Sequence, residues 1–233
     1  MGEGADDVAH DWLSLLRTQT DRFADVVGLG DLDAPITFCP GWSLRDLVDH
    51  LGGVHRWAAH AIVTGDPVLD AEPAEAERSA LIDWYRRQAT DLINVLESRP
   101  ADSPAWTLDE RDPTVGFWLR RQVHETAIHA WDAAESGGET PAIEPLLAWD
   151  GVREVVEVLY PRQVRLGRVA PLACAVRLVA TDAPGSVTIG SGAASELRES
   201  AEVLLRLLWR RIDPTTAPLG PVGAALMTCA VTP

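Results

Sequence analysis

Apolar side chains recur at steps of three and four residues along the first 160 positions, which is the pattern of helices with one buried face. The first such stretch covers residues 5–27 and stops at a pair of glycines. The second begins after Ser43 and continues to about Thr64, and Asp46 stands where it can complete a variant of the capping box with Ser43. The pattern therefore predicts two long amphipathic helices at the start of the chain.

Further helices follow after polar loops that are rich in proline. We predict a third helix over residues 75–98 and a fourth that begins after Thr114 and ends at Gly137 and Gly138. A fifth amphipathic stretch covers residues 145–160. Four long helices of this kind indicate a helical bundle, in which inward side chains from facing helices often make metal sites.

The pattern changes after Pro161, where shorter apolar runs alternate with turns. Residues 172–180 and 186–190 predict two strands, and residues 195–211 predict a last helix that packs on them. A final apolar run at residues 222–231 is a candidate edge strand. These runs are too short to form a second bundle, so they indicate a small α/β unit.

The fold class that these elements predict is α+β. We expect an N-terminal four-helix bundle over residues 1–163 and a smaller C-terminal α/β domain over residues 164–233. With 46% hydrophobic residues, the chain has ample material for a packed core.

Composition and charge exclude several classes of function. Thirty-five acidic against twenty basic side chains give a formal net charge of −15, which opposes binding to nucleic acids and to anionic membranes. No stretch has the length and apolarity of a membrane span, and the acidic N-terminal residues are unlike a signal peptide, so we expect a cytoplasmic protein. Three cysteines without a C-x-x-C pair indicate neither a disulfide framework nor a thiolate zinc site.

The fourth predicted helix carries the most informative polar residues. Glu125 and His129 stand four positions apart, one above the other on the same face, so they can bind one ion together. His124 is about 140° away from His129 around the helix, and we expect it to pack in the core. Trp118 and Arg121 lie on the same stripe as Glu125. A large apolar ring among charged residues indicates that this stripe borders a pocket.

A third metal ligand must come from another helix, and the second predicted helix offers two candidates. His50 and His55 flank its apolar face on opposite edges. Helical periodicity does not choose between them. Either histidine could instead be a partly buried residue that a backbone carbonyl satisfies.

Two segments carry a resemblance to a known family: CPGWSLRDLVDHLG at residues 39–52 and RRQVHETAIHAWDA at residues 120–133. They resemble the DinB-like metalloenzymes that use a low-molecular-weight thiol, typified by mycothiol-dependent maleylpyruvate isomerase and mycothiol S-transferases. The resemblance implies a DinB-like bundle and a divalent metal, usually zinc, held by His50, Glu125 and His129. It therefore favours His50 over His55.

The resemblance also implies mycothiol as a second cofactor. Three protein ligands leave one position of a zinc ion open, which is typical of catalytic sites, and coordination to zinc deprotonates a thiol. A thiolate that adds to a small electrophile and then leaves produces isomerisation, whereas one that stays attached produces S-transfer. The expected partners are this thiol and an electrophilic small molecule, and the expected assembly is a monomer or a homodimer.

Other residues receive supporting roles. We expect Trp118 to contribute to cofactor binding and Arg121 to bind an anionic substrate. The resemblance implies that Arg211 takes part in substrate handling. Metal-bound histidines usually donate their second ring N–H to a carboxylate or a carbonyl, and Asp49 and Asp132 are the candidates here.

Two other functions fit the same residues. A metal-dependent hydrolase would hold a water molecule at the open position and would need no thiol. A non-catalytic protein would bind a small molecule without chemistry. Measuring whether turnover requires a thiol, and whether the purified protein contains metal, distinguishes these functions.

Overall fold

The computed structural model describes residues 10–70, 72, 77–213 and 220–233, and their contacts divide the chain into two compact units. One unit is His10–Pro141 and the other contains Ala142–Pro233. The helix that begins at residue 145 groups with the C-terminal residues because it packs against a helix there. The structure therefore divides the chain at 141/142, whereas the sequence pattern predicted 163/164. No helix within the described ranges is long and apolar enough to cross a membrane.

The described residues of the first unit form four helices: α1 (Trp12–Leu29), α2 (Leu44–Thr64), α3 (Arg78–Glu97) and α4 (Val115–Ser136). Helix α2 packs mainly against α3, and α1 packs mainly against α4. Contacts between α2 and α4 close the bundle. The predicted helical bundle is confirmed, although residues 5–9 of the first predicted helix lie outside the described part of the chain.

Local sequence determines where these helices begin. The side chain of each N-cap residue accepts a hydrogen bond from the backbone N–H three positions later, and the four caps are Asp11, Ser43, Glu77 and Thr114. Ser43 and Asp46 form a complete capping box at the start of α2. The predicted caps at Ser43 and Thr114 are therefore confirmed.

Helices α2 and α3 approach each other closely at Gly52. A Cβ atom added at this position would lie 2.2 Å from a ring carbon of Trp84 in α3. The absence of a side chain at position 52 therefore allows the indole ring to lie against the backbone of α2. The hydrophobic core that contains Trp84 also includes Leu47, Leu51 and Leu81, each fully buried.

The second unit begins with an almost continuous helical stretch: α5 (Pro145–Glu154), a π-helical turn (Val155–Leu159) and α6 (Tyr160–Arg165). Three strands follow, β1 (Ala175–Ala180), β2 (Ser186–Ile189) and β3 (Ala194–Glu199), and then α7 (Ala201–Leu208) and α8 (Gly220–Met227). The sheet has the order β2-β1-β3, with β1 antiparallel to β2 and parallel to β3. The predicted α+β class is confirmed.

Three predicted elements of this unit were wrong. Residues 194–199 form β3 rather than the first turns of a helix, because they pair in parallel with β1 and Ser200 caps α7 only after them. The apolar run at residues 222–231 contributes to α8 and not to an edge strand, since periodicity cannot separate the two for a short apolar run. The fifth helix continues past Pro161, which stands in the first turn of α6 directly after the π-helical turn.

Candidate metal centre

Helices α2 and α4 bring together the three side chains that were predicted as metal ligands. Nε2 of His50 lies 3.3 Å from Oε1 of Glu125, and Nε2 of His129 lies 3.4 Å from the same oxygen. One ligand atom of each residue lies within 4.8 Å of the other two. Zinc binds imidazole nitrogen and carboxylate oxygen at about 2.0–2.2 Å, so ligand atoms of one site stand roughly 3–4 Å apart. The donor set and its size therefore fit a small divalent cation.

The three side chains differ in their access to solvent. The side chain of His50 is 35% exposed, whereas those of Glu125 and His129 are 12% and 5% exposed. The ring of Trp42 lies 4.8 Å from the imidazole of His50, measured between centroids. A ligand from solvent would consequently reach the cluster on the side of His50.

The carboxylate of Glu125 is shared between an arginine and the two imidazoles. Nη2 of Arg121 donates to Oε2 of Glu125, which leaves Oε1 directed at His50 and His129. Burial by itself would raise the pKa of Glu125, but the charge of Arg121 and the hydrogen bonds from both histidines hold that pKa well below its usual value. Glu125 is therefore a carboxylate although it is buried.

Asp132 orients the imidazole of His129. Its Oδ2 atom lies 2.9 Å from Nδ1 of His129, so Nε2 of that ring faces Glu125 and His50. Burial alone would lower the pKa of His129, but the hydrogen bonds to Asp132 and Glu125 outweigh it and raise the pKa to about 9. Metal binding at Nε2 would displace this proton. A carboxylate behind a histidine is the usual support of metal-binding imidazoles, and Asp132 rather than the exposed Asp49 provides it here.

His55 does not join this cluster. Its ring is fully buried, and Nδ1 donates to Oε1 of Gln122 at 2.8 Å. Burial lowers the pKa of His55 to about 4, although the hydrogen bond to Gln122 opposes the shift. Its Nε2 atom has no hydrogen-bond partner among the described residues. Helical periodicity left His50 and His55 equal, and the structure brings His50, not His55, next to Glu125 and His129. His124 packs edge-on to Trp12, with ring centroids 5.6 Å apart, as expected.

Arg121 and Trp118 are both held by neighbouring residues, and the roles in ligand binding that the sequence predicted for them stay predictions. The side chain of Arg121 is only 6% exposed and is engaged by Glu125. Trp118 is fully buried, and its indole N–H donates to the backbone carbonyl of Trp106 at 2.6 Å. This geometry favours a positioning role for Arg121 and a packing role for Trp118. The i, i+4 spacing of Arg121 and Glu125 was the sequence signal for their ion pair.

Arg211 lies in the C-terminal unit. Its guanidinium donates from Nη1 to the backbone carbonyl of Trp209 at 2.7 Å and lies over the Trp209 ring at 5.7 Å from its centroid. These contacts hold the side chain within its own unit. Its role in substrate handling stays a prediction.

Two neighbours of the cluster were not predicted from the sequence. Trp42 covers one side of His50, and Sγ of Cys39 lies 3.9 Å from Oδ2 of Asp132. Both residues belong to the turn before α2. Both residues belong to the segment at residues 39–52 that carries the family resemblance, where they precede His50. Helical periodicity could not reveal their position, because it does not relate a turn to a site on another helix.

Together these features define a helical-bundle protein with a partly buried His-Glu-His cluster between two helices. Residues 13–134 match the family described as the mycothiol maleylpyruvate isomerase N-terminal domain. The match covers more than half of the chain, and the chain belongs to this family. The resemblance drawn from the two sequence segments is therefore confirmed.

Solved structures agree with this fold. A crystal structure of the mycothiol-dependent maleylpyruvate isomerase matches with a TM-score of 0.57 at 13% identity, covering 84% of this chain and 87% of that one. A histidine-to-alanine mutant of the mycothiol-dependent maleylpyruvate isomerase matches with a TM-score of 0.59 at 15% identity and the same coverage. At these identities the likeness shows the fold alone. No curated protein sequence matches the chain.

Proposed function

We propose that this protein is a metal-dependent enzyme that uses mycothiol to attack an electrophilic small molecule. The cluster of His50, Glu125 and His129 carries the proposal, because its donor set is that of catalytic zinc sites with one open position. Membership of a family named for a mycothiol-dependent isomerase supports the choice of thiol. Zinc bound there would hold the thiol sulfur as a thiolate at neutral pH.

The residues around the cluster hold its donor atoms in place. Arg121 binds one carboxylate oxygen of Glu125 and leaves the other for the histidines. Asp132 binds Nδ1 of His129, which determines the direction of Nε2. These contacts order two of the three ligands in advance, so less conformational freedom is lost when an ion binds.

The burial of the cluster favours nucleophilic chemistry at its exposed side. Glu125 and His129 are shielded from water, while the imidazole of His50 is partly open. A sulfur atom that arrives beside His50 would be partly desolvated, and electrostatic interactions are stronger in such surroundings.

Two outcomes follow from the same attack. If the electrophile is an unsaturated keto acid, a carbon–sulfur bond forms at its double bond, the resulting single bond rotates, and elimination releases the thiolate and the isomer. If the electrophile has a leaving group or an epoxide, the carbon–sulfur bond remains and the product is a mycothiol conjugate. The electrophile therefore decides between isomerisation and S-transfer.

Turnover with and without thiol tests the proposal. We expect zinc-loaded protein to isomerise maleylpyruvate or to conjugate monochlorobimane only when mycothiol is added. Hydrolysis that proceeds without thiol would support the metal-dependent hydrolase instead. Purified protein that takes up no zinc, and shows no thiol-dependent turnover, would contradict the proposal and support a non-catalytic binding protein.

A further inference from the structure

A cleft runs along helix α2 and begins at His50. Its volume is about 300 Å³, at the lower end of the range of about 300–1,000 Å³ that is usual for small-molecule sites. His50 is the residue that the cleft shares with the candidate metal centre. The polar and aromatic residues that line the rest of it include Asp49, Arg56, Trp57, Asp70 and Glu72.

The charges of the cleft disfavour an anionic ligand. Asp49, Asp70 and Glu72 contribute three carboxylates to its lining. Arg56 does not offset them freely, because its Nε lies 3.0 Å from Glu72 and its Nη1 donates to the backbone carbonyl of Asp70 at 2.8 Å. Carboxylates repel an anion but accept hydrogen bonds from hydroxyl groups. The cleft therefore suits a neutral ligand that is rich in hydroxyls.

The aromatic residues of the cleft add apolar surface and one unsatisfied donor. The indole N–H of Trp57 donates to the backbone carbonyl of Pro67 at 2.8 Å, so its ring offers a ligand only apolar surface. Trp84 also lines the cleft, is 3% exposed, and has no acceptor for its N–H among the described residues. The aromatic rings therefore give the cleft apolar surface against which the carbon face of a ligand can lie.

We propose that this cleft binds the sugar and cyclitol part of mycothiol, while the thiol reaches the metal beside His50. Hydroxyl groups would donate to Asp49 and Asp70, and the carbon face of a ring would lie on Trp57. The inference rests on the proposed function, because it assumes that mycothiol is the thiol. It also implies that an anionic electrophile approaches the cluster from outside this cleft.

Binding measurements on the zinc-loaded protein test the inference. Calorimetry with mycothiol is compared with calorimetry with N-acetylcysteine amide, which has the thiol but neither the sugar nor a carboxylate. We expect Asp49→Asn and Asp70→Asn each to weaken mycothiol binding about tenfold, the effect of losing one hydrogen bond to a charged group, and to leave binding of the uncharged N-acetylcysteine amide unchanged. Asp25→Asn, an exposed aspartate of α1, is the control and should change neither.

A thiol-free probe separates this inference from the proposed function. N-acetylglucosaminyl inositol should quench tryptophan fluorescence of the wild-type protein, with or without zinc, and should do so less in Asp49→Asn. If that probe does not bind and the two thiols bind equally, the cleft is not the sugar site although thiol chemistry stands. If the probe binds but neither thiol binds the zinc-loaded protein, the proposed function fails while the cleft remains a polyol site.

Discussion

The two histidines of α2, His50 and His55, face the same partner helix and meet opposite surroundings there. His50 stands at the rim, 35% exposed by its side chain, with Nε2 near the carboxylate of Glu125. His55 lies in the interior, fully buried, with Nδ1 bonded to the neutral amide of Gln122. The partner on α4 therefore distinguishes a candidate ligand from a core residue, although both residues are imidazoles on one helix.

The two histidines differ in what their neighbours offer to a positive charge. The rim provides an ionised carboxylate, a second imidazole and an arginine that stabilises the carboxylate. The interior provides one amide oxygen, which cannot compensate a positive charge, so the pKa of His55 is lowered to about 4 by burial. The rim is therefore suited to chemistry, and the interior to packing.

The largest expected effect is the loss of metal when a rim ligand is removed. His50→Ala or His129→Ala should lower zinc content well below one equivalent and abolish thiol-dependent turnover, because only two ligands remain. His55→Ala is the matched interior variant and should keep a full equivalent of zinc. Metal analysis and circular dichroism of all three proteins measure this. Full zinc occupancy in His129→Ala would contradict its assignment as a ligand, and zinc loss in His55→Ala would contradict its assignment as a core residue.

A smaller effect is expected from acid. The folded pKa of His55 is about 4, below the ordinary value of 6.5, so the unfolded chain binds a proton more readily. This difference in pKa contributes about 3 kcal/mol to the free energy of unfolding above pH 6.5. The contribution is lost as the pH falls from 6.5 through 4. Urea unfolding of the metal-free protein at pH 7 and pH 4.5 measures it.

His55→Leu is the control for this acid sensitivity. The variant lacks the titrating ring, so its free energy of unfolding should fall less between pH 7 and pH 4.5 than that of the wild type. Equal losses in the two proteins would show that His55 does not remain neutral in the folded state.

The smallest expected effect concerns the support of a rim ligand. Asp132→Ala should weaken zinc binding about 10- to 100-fold without abolishing it, because Nδ1 of His129 loses its carboxylate. Asp49→Ala removes an exposed aspartate next to His50 in the sequence and should leave zinc affinity unchanged. Competition with a zinc chelator measures both. An Asp49 effect as large as that of Asp132 would mean that the wrong aspartate has been assigned.

The sequence predicted the elements of the bundle well and those of the C-terminal unit less well. The caps at Ser43 and Thr114 act within one turn, so their effect is readable from neighbouring residues. The polar segment of residues 194–199 forms β3 because its backbone pairs in parallel with that of β1, with Leu197 opposite Leu178. Such pairing depends on a strand about twenty positions earlier, which no local pattern reveals.

The candidate site shows the same division. The spacing of Glu125 and His129 by itself placed both side chains on one face of α4, because four residues make nearly one helical turn. The resemblance of two segments to a known family pointed to His50, whereas periodicity alone left His50 and His55 equal. Only the structure showed that Arg121 pairs with Glu125 and that Trp118 is buried, and the roles predicted for both residues in ligand binding stay predictions.

By itself, the sequence determined the four helices of the bundle, the caps at Ser43 and Thr114, and the direction of each side chain around its own helix axis, since these follow from interactions within a few residues. Only the tertiary structure decided which histidine of α2 meets Glu125, and that Asp132 rather than Asp49 supports His129. The physical reason is that contacts between helices depend on how the two helices are offset and rotated. That arrangement results from packing of the whole core, including the close contact of Trp84 with Gly52.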